Sequence, residues 1–433
     1  MENNLPQGWE LVKLVEQLNL LPTGVKEFDG TKKYFSTGSI HENEFKPEGE
    51  FTFTNRPSRA NRIASIGDVL QARMKATDKG ILIDEKLDKQ LFSTGFLQIR
   101  PFGNTYNNKL LYYLIKSDFF LSQKNELATG STQEALTDNG AKEILIPLPP
   151  LAEQHRIVAK LDALMQKVEN YKQRIENIPT ILKRFRQSVL AAAVSGKLTN
   201  KIEEENLPED WKILFGKDVF EFITSGSRGW AEYYSETGKL FIRVTNLDFD
   251  TIKINTVPSK NKYVNPPQNA EGTRTKVRIG DILISITGDV GMVGLVEDNI
   301  EEAYINQHVC LARTKEGYYQ KYIAYYISAM KGGRKYFDDV KRGATKSGLV
   351  LGDIKSLPIP LPPLEEQKEI VRRVEQLFAF ADKIEVRYAK AKDMLDKMPQ
   401  SILAKAFRGE LVAQDPTDEP ASVLLERIKA KKI

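Results

Sequence analysis

Residues 146–158 read IPLPPLAEQHRIV, and residues 359–371 read IPLPPLEEQKEIV, identical at ten of thirteen positions after a shift of 213. At the same shift QSVLAAAVSGKLT (187–199) returns as QSILAKAFRGELV (400–412), so neither copy has gained or lost a residue in between. A weaker echo opens each copy: Leu5-Pro6-Gln7-Gly8-Trp9 against Leu207-Pro208-Glu209-Asp210-Trp211, 202 positions apart. Each copy is therefore a variable block followed by a well-kept helical block. Units of about 200 residues are far longer than solenoid repeats, so a whole domain has been duplicated.

The helical blocks are legible from their spacing. After each Pro-Pro pair, apolar residues recur at alternating intervals of four and three: Ile157, Leu161, Leu164, Val168, Tyr171, Ile175, Ile178, Leu182, Phe185 and Val189. Adding 213 gives Ile370, Val374, Leu377, Ala381, Ile384, Tyr388, Ala391, Leu395, Met398 and Ile402, a second heptad seam in the same register. A helix of roughly 30 residues is about 45 Å long and needs a long partner, which the other copy supplies. Pro179 and Pro399 should each interrupt a seam and start a short helix, 180–195 and 400–408, stopped by Gly196 and Gly409. The tail 415–433 follows two prolines and reads as a further short helix with Val423, Leu424 and Ile428 on one side.

The variable blocks, about 4–149 and 207–362, alternate short apolar runs with turn signals, among them Ile66-Gly67-Asp68-Val69-Leu70 and its match Ile279-Gly280-Asp281-Ile282-Leu283. Residues 109–115 (KLLYYLI) and 321–327 (KYIAYYI) predict one short helix per block, so each block is α+β. Outside these landmarks the blocks differ widely. One frame thus carries two dissimilar blocks, which suggests one scaffold presenting two different readers.

Catalytic chemistry is hard to find. Cys310 is the only cysteine, which excludes an intrachain disulfide and a cysteine-based zinc cluster. The three histidines, His41, His155 and His308, are scattered, and no GxxxxGK[ST] loop exists. Asn265-Pro266-Pro267-Gln268 approaches the Asn-Pro-Pro-aromatic signature of adenine methyltransferases, but Gln268 replaces the stacking aromatic and no glycine-rich cofactor loop follows an early strand. The N-terminus lacks a signal-peptide pattern and no apolar run reaches membrane-spanning length, which predicts a cytoplasmic protein.

What remains is binding. A formal net charge of +5 permits a polyanionic partner without requiring one. Basic residues fall in loop-like stretches: Arg56, Arg59 and Arg62, then Arg228, Arg243, Lys260, Lys262, Arg274, Lys276 and Arg278. Arginine there can pair bidentately with guanine or phosphate, and nearby Ser, Thr, Asn and Gln can complete base-edge recognition. The matched loops Gly130-Ser131-Thr132-Gln133 and Arg342-Gly343-Ala344-Thr345-Lys346, with Ser227 beside Arg228, complete the candidate DNA contacts.

The doubled Pro-Leu-Pro-Pro-Leu-x-Glu-Gln signature, each long helix, Gln-Ser-x-Leu-Ala-x-Ala-x-x-Gly-x-Leu, and the tail Asp418-Glu419-Pro420-Ala421-Ser422-Val423-Leu424-Leu425-Glu426-Arg427-Ile428 closely resemble the specificity subunits of type I restriction-modification systems. The resemblance implies an α+β protein. Residues 1–150 and 201–363 would be two target recognition domains with pseudo-twofold symmetry. Residues 151–200 and 364–433 would be conserved helical regions, whose long helices form an antiparallel intramolecular coiled coil. It further implies a non-catalytic DNA-binding subunit reading an asymmetric bipartite site in double-stranded DNA. The helices would set the spacer and dock two modification subunits that bind S-adenosylmethionine, restriction subunits would join the complex, and this chain would hold no cofactor or metal. The departure is the region 226–230 (GSRGW), which has no clear equivalent in the first block. Three rivals stay open: a stand-alone DNA-binding regulator, a purely structural coiled-coil protein, and a self-sufficient methyltransferase built on Asn265.

Overall fold

In both copies the strand that follows the opening tryptophan pairs antiparallel with the proline-rich strand leading into the helix. Glu10–Lys13 lies against Leu145–Leu148 in the register Glu10↔Leu148, and Lys212–Phe215 against Pro358–Leu361 in the register Lys212↔Leu361. A two-stranded ribbon has only edge strands, which is where prolines without an N–H are tolerated. The computed structural model describes residues 5–41, 44–103, 105–131, 133–199, 207–226, 229–266, 270–343 and 348–432. The chain divides into two units: residues 1–175 with 391–433, and residues 176–390. Each unit joins one variable block to helical segments from both copies.

In the first unit one four-stranded sheet has the order Leu18–Leu21, Phe96–Pro101, Val69–Ala72, Gly80–Leu82. A second has the order Gly49–Phe51, Lys32–Phe35, Leu91–Ser93, Ala60–Ile63. The helix Asn108–Ile115 buries Leu110, Leu111, Leu114 and Ile115 against Val69, Leu97 and Ile99 of the first sheet. Its start is capped by the Asn107 side chain, which accepts from the N–H groups of Lys109 and Leu110.

The second unit repeats the first sheet strand for strand: Phe220–Ser225, Val309–Thr314, Ile282–Ser285, Val293–Leu295. Its other sheet is built differently. Both units keep a parallel pair, Lys32–Phe35 with Leu91–Ser93 and Lys239–Ile242 with Ala303–Ile305, but the strands added around that pair differ. One layer was held and the other was remodelled.

Each unit also contains two antiparallel helical segments. In the first, Leu151–Glu176 buries Ile157 and Leu161 in one cluster with Leu403, Ala406 and Phe407, while Lys172 meets Asp396 at 2.9 Å. Advancing along one segment means retreating along the other. In the second, Val189, Leu190, Ala193 and Val194 of Ile178–Val194 join Ile370, Val371 and Val374. There Arg186 binds Asp382 and Glu385 at 2.7 Å each, and Arg373 donates to the Leu198 carbonyl at 2.7 Å. All the seam positions are buried or half-buried except Tyr171, which is 51 % exposed.

One helix expectation is corrected. Asn177 separates the first copy's helices, and the second of them, Ile178–Val194, carries Pro179 in its first turn, where its missing N–H costs nothing. In the second copy Leu364–Phe407 runs unbroken for 44 residues through Pro399, so no separate short helix begins at residue 400. Packing on both sides of the proline compensates. Leu395, Leu403, Ala406 and Phe407 are buried, and Gln400 bridges the Lys116 carbonyl at 2.8 Å and the Asp118 N–H at 3.0 Å.

The tail forms the helix Ala421–Lys432, with Ala421, Leu424 and Ile428 buried in the first unit's core. Arg156 holds Asp418, and the Ala421 N–H donates to the Gly8 carbonyl at 2.9 Å.

Candidate nucleic-acid interface

The variable blocks are clamped to the helices by the retained Trp, Glu and Gln residues. Trp9 Nε1 donates to Glu153 at 2.8 Å, and Trp211 Nε1 donates to the equivalent Glu366 at 3.3 Å. Gln414 completes Glu153 at 2.8 Å, whereas Thr199 completes Glu366 at the same distance. Burial raises the pKa of Glu153, and the hydrogen bonds from Trp9 and Gln414 oppose that shift. The next residue is a second clamp: Gln154 accepts from the Asn107 N–H at 2.7 Å and Gln367 from the Tyr319 N–H at 3.1 Å, so they fix the entries to the equivalent helices Asn108–Ile115 and Gln320–Ser328. Equivalent Trp–Glu and Gln joints hold two different surfaces.

Of the first block's candidates, Arg59 is exposed. Arg56 braces its own loop, with Nε on the Ala60 carbonyl at 3.2 Å and its guanidinium 4.1 Å from the centre of the Phe53 ring. Arg62 is corrected: it is 1 % exposed and cannot reach a base edge. It lies on the strand Ala60–Ile63 and points inward, where Nη1 donates to the Leu21 carbonyl of the other sheet at 2.7 Å. Burial lowers its pKa to about 10. The even spacing of Arg56, Arg59 and Arg62 hid the change from loop to strand. Ser131 and Gln133 are exposed at the tip of the hairpin Ala128–Thr129/Ala135–Leu136. Gly130 enters that tip at φ +137°, and a Cβ there would fall 2.5 Å from the Gln133 carbonyl oxygen. Thr132 lies outside the described residues.

In the second block Arg243, Lys260 and Lys262 converge. Arg243 Nη2 donates to the Lys260 carbonyl at 3.0 Å, the Phe241 N–H donates to the Lys262 carbonyl at 2.8 Å, and both lysines are exposed. Arg274 is half-buried and bonds to Thr224 and to the Ser225 carbonyl, so it fastens the strand leading to the 226–230 loop. Within that loop Ser227 and Arg228 lie outside the described residues, as do Thr345 and Lys346 of the other matched loop. Arg342 is exposed but directs both terminal nitrogens at Asp353, at 2.7 and 3.1 Å, and this pairing lowers the Asp353 pKa. Pro267 and Gln268 of the Asn-Pro-Pro-Gln turn are also outside the described residues. Lys276 and Lys239 share Glu302, at 3.2 and 3.1 Å.

The sequence did not reveal the paired ion bridges beneath these surfaces. Arg100 is bidentate to buried Asp68, and Arg313 to buried Asp281. All four positions match at the 213 shift, which was the available signal, but nothing in the sequence says that these residues meet. Cys310 is buried, and its thiol pKa is pushed up to about 12 by burial. Among the described residues no group of three or more His, Cys, Asp or Glu is placed to hold a metal ion, and no helix is long and apolar enough to cross a membrane.

The family profile described as the type I restriction modification DNA specificity domain matches residues 6–180 and again 208–390. The chain is 36 % identical to the EcoBI specificity subunit of Escherichia coli over 352 residues, covering 76 % of this chain and 72 % of that one. It is 35 % identical to the EcoKI specificity subunit of Escherichia coli K12, covering 74 % and 71 %. Among solved structures, the HsdS subunit from Thermoanaerobacter tengcongensis is similar at a TM-score of 0.66 and 27 % identity, covering 94 % of this chain and 98 % of that one. A chain solved in work on complex assembly and conformational transition of the type I R-M system is similar at a TM-score of 0.75 and 27 % identity, covering 94 % and 99 %. Matched in both copies, over residues 6–180 and 208–390, the chain belongs to the type I restriction-modification DNA specificity family.

Proposed function

We propose that this chain is the non-catalytic specificity subunit of a type I restriction-modification complex, each variable block reading one half of an asymmetric bipartite site in double-stranded DNA. The observation that carries the reading is the contrast within the duplication. The Trp–Glu joints, the Gln clamps and one sheet are repeated, whereas the second sheet and the loops around it are not. A chain selected to read a palindrome would have kept both surfaces alike. The helices set the spacer between half-sites and dock two modification subunits. S-adenosylmethionine and methyl transfer belong to those partners, and cleavage to restriction subunits. The protein acts in the cytoplasm with DNA.

For direct contact with DNA we favour Arg59, Ser131, Thr132 and Gln133 in the first block, and Ser227, Arg228, Arg243, Lys260, Lys262, Thr345 and Lys346 in the second. Arg56, Arg274 and Arg342 shape their loops. Replacing residues 207–362 with another family member's block and sequencing the host methylome tests the reading. One half-site should change while the other half-site stays as it was; a change in both, or in neither, refutes independent readers.

A further inference from the structure

Two tight turns stand at matched positions in the sheet that both blocks retain. Ser65-Ile66-Gly67-Asp68 and Arg278-Ile279-Gly280-Asp281 each close with the Asp N–H donating to the first residue's carbonyl, at 2.9 and 3.0 Å. The glycines sit at φ +86° and +88°, as the third position of a type II turn requires. Each Asp carboxylate accepts from the first residue's N–H, at 2.9 and 2.7 Å, and takes a bidentate arginine, Arg100 or Arg313. The glycine N–H groups donate to Ile83 and Val296 at 2.9 and 2.8 Å. Every retained residue of the turn has a structural reason except the isoleucine. Its side chain faces outward, 59 % exposed at Ile66 and 71 % at Ile279.

The surroundings match too. Leu151 is half-buried and Leu364 is 39 % exposed, each opening its long helix. In the first unit Ile66, Leu82, Tyr112, Leu151 and His155 line one open depression of about 810 Å3. Lys109 pairs with Asp162 at 2.7 Å, and Lys321 with Glu375 at 2.8 Å. Lys321 also meets Glu297 at 3.3 Å. An aliphatic tip beside neutralised charges suits a protein interface, with its apolar centre and polar rim. It does not suit phosphates, which need uncompensated cations.

We propose that Ile66 and Ile279 are equivalent docking knobs for two copies of one partner chain, each copy seating the isoleucine in an aliphatic pocket. Repetition on a chain whose DNA-reading surfaces are dissimilar is what identifies the occupant as one protein bound twice. Resting on the function proposed above, that protein is the modification subunit.

The test uses the full chain with the modification subunit of its own system, counting bound subunits by native mass spectrometry and measuring affinity by titration. The wild type should bind two. Ile66→Asp and Ile279→Asp should each weaken one site by about thirtyfold or more and leave the other intact, and the double variant should lose both. Thermal melts should stay unchanged, because the side chains are exposed; Ile66→Ala and Ile279→Ala, which add no charge, should weaken binding in the same order. Wild-type affinity in the double Asp variant would overturn the knobs while leaving the specificity-subunit reading intact, and a single variant that loses both sites would overturn their equivalence. A wild type that binds no modification subunit would instead refute the function on which the proposal rests.

Discussion

The paired buried carboxylates permit a comparison inside one molecule. Asp68 and Asp281 occupy equivalent turns, and both are fully buried. Their arginines are not equally placed: the Arg313 side chain is 17 % exposed and the Arg100 side chain 43 %. Asp281→Ala therefore strands a guanidinium that water reaches poorly, and removing one partner from a buried pair costs about 3–5 kcal/mol. After Asp68→Ala, Arg100 can hydrate, and Gln98, whose Nε2 donates to Asp68 at 2.7 Å, keeps its other bond to the Ile63 carbonyl at 3.2 Å. That loss is closer to the cost of ordinary buried hydrogen bonds, about 1–3 kcal/mol. At about 2–4 °C per kcal/mol for units of this size, Asp281→Ala should lower its unit's midpoint by about 6–20 °C and Asp68→Ala by roughly half as much. Fluorescence separates the units, since Trp9 is in the first and Trp211 and Trp230 are in the second. Melts would be read in a Trp9→Phe background for Asp281 and a Trp211→Phe/Trp230→Phe background for Asp68. An equal or larger cost for Asp68→Ala would refute the claim that hydration of the arginine sets the difference.

Three further outcomes are expected. Ending the chain after Val412 removes the buried side chains of Leu424 and Ile428 and the Asp418–Arg156 bridge. The apolar part alone should cost the first unit about 3–6 kcal/mol and lower the midpoint read from Trp9, while the second unit's urea midpoint stays put. The Tyr304 hydroxyl and the ammonium groups of Lys239 and Lys276 hold the Glu302 carboxyl down at about 2. Because its folded pKa is depressed, its contribution is complete above the ordinary glutamate range and is lost as pH falls toward 2, so the difference in urea midpoint between wild type and Glu302→Gln should shrink from pH 6 to pH 3. Gly226→Ala places a Cβ 2.2 Å from the Asn306 backbone, and should shift the loop and weaken recognition of one half-site, seen as reduced methylation at that half only.

Periodicity made the helices legible, because a heptad stripe over so many residues has few other solutions. The internal repeat identified the joints, since Trp, Glu and Gln at fixed offsets are scarcely kept by accident. Two kinds of information were not local. Arg62 looks like its neighbours Arg56 and Arg59 in sequence, and only the strand that it occupies turns it inward. Pro399 reads as a breaker because its own residue pair favours one, yet Gln400, Leu403 and Phe407 are held by partners nearly 250 to 300 positions away in sequence. Which cations stay unpaired in the variable-block loops is not local either: Arg342 looked available until Asp353, eleven positions on, took it.

The chain's division also orders its synthesis. Residues 176–390 form the second unit from one continuous stretch, so everything it needs has emerged once residue 390 leaves the ribosome. The first unit must wait for residues 391–433, since Ile157 and Leu161 are covered by Leu403 and Phe407 and Glu153 is completed by Gln414. At ~5–20 residues per second, the N-terminal block waits roughly 10–50 s with its apolar helix face open to water. The reader made first is finished last, and a nascent chain that stalls near its end carries one complete recognition unit and one lacking its seal.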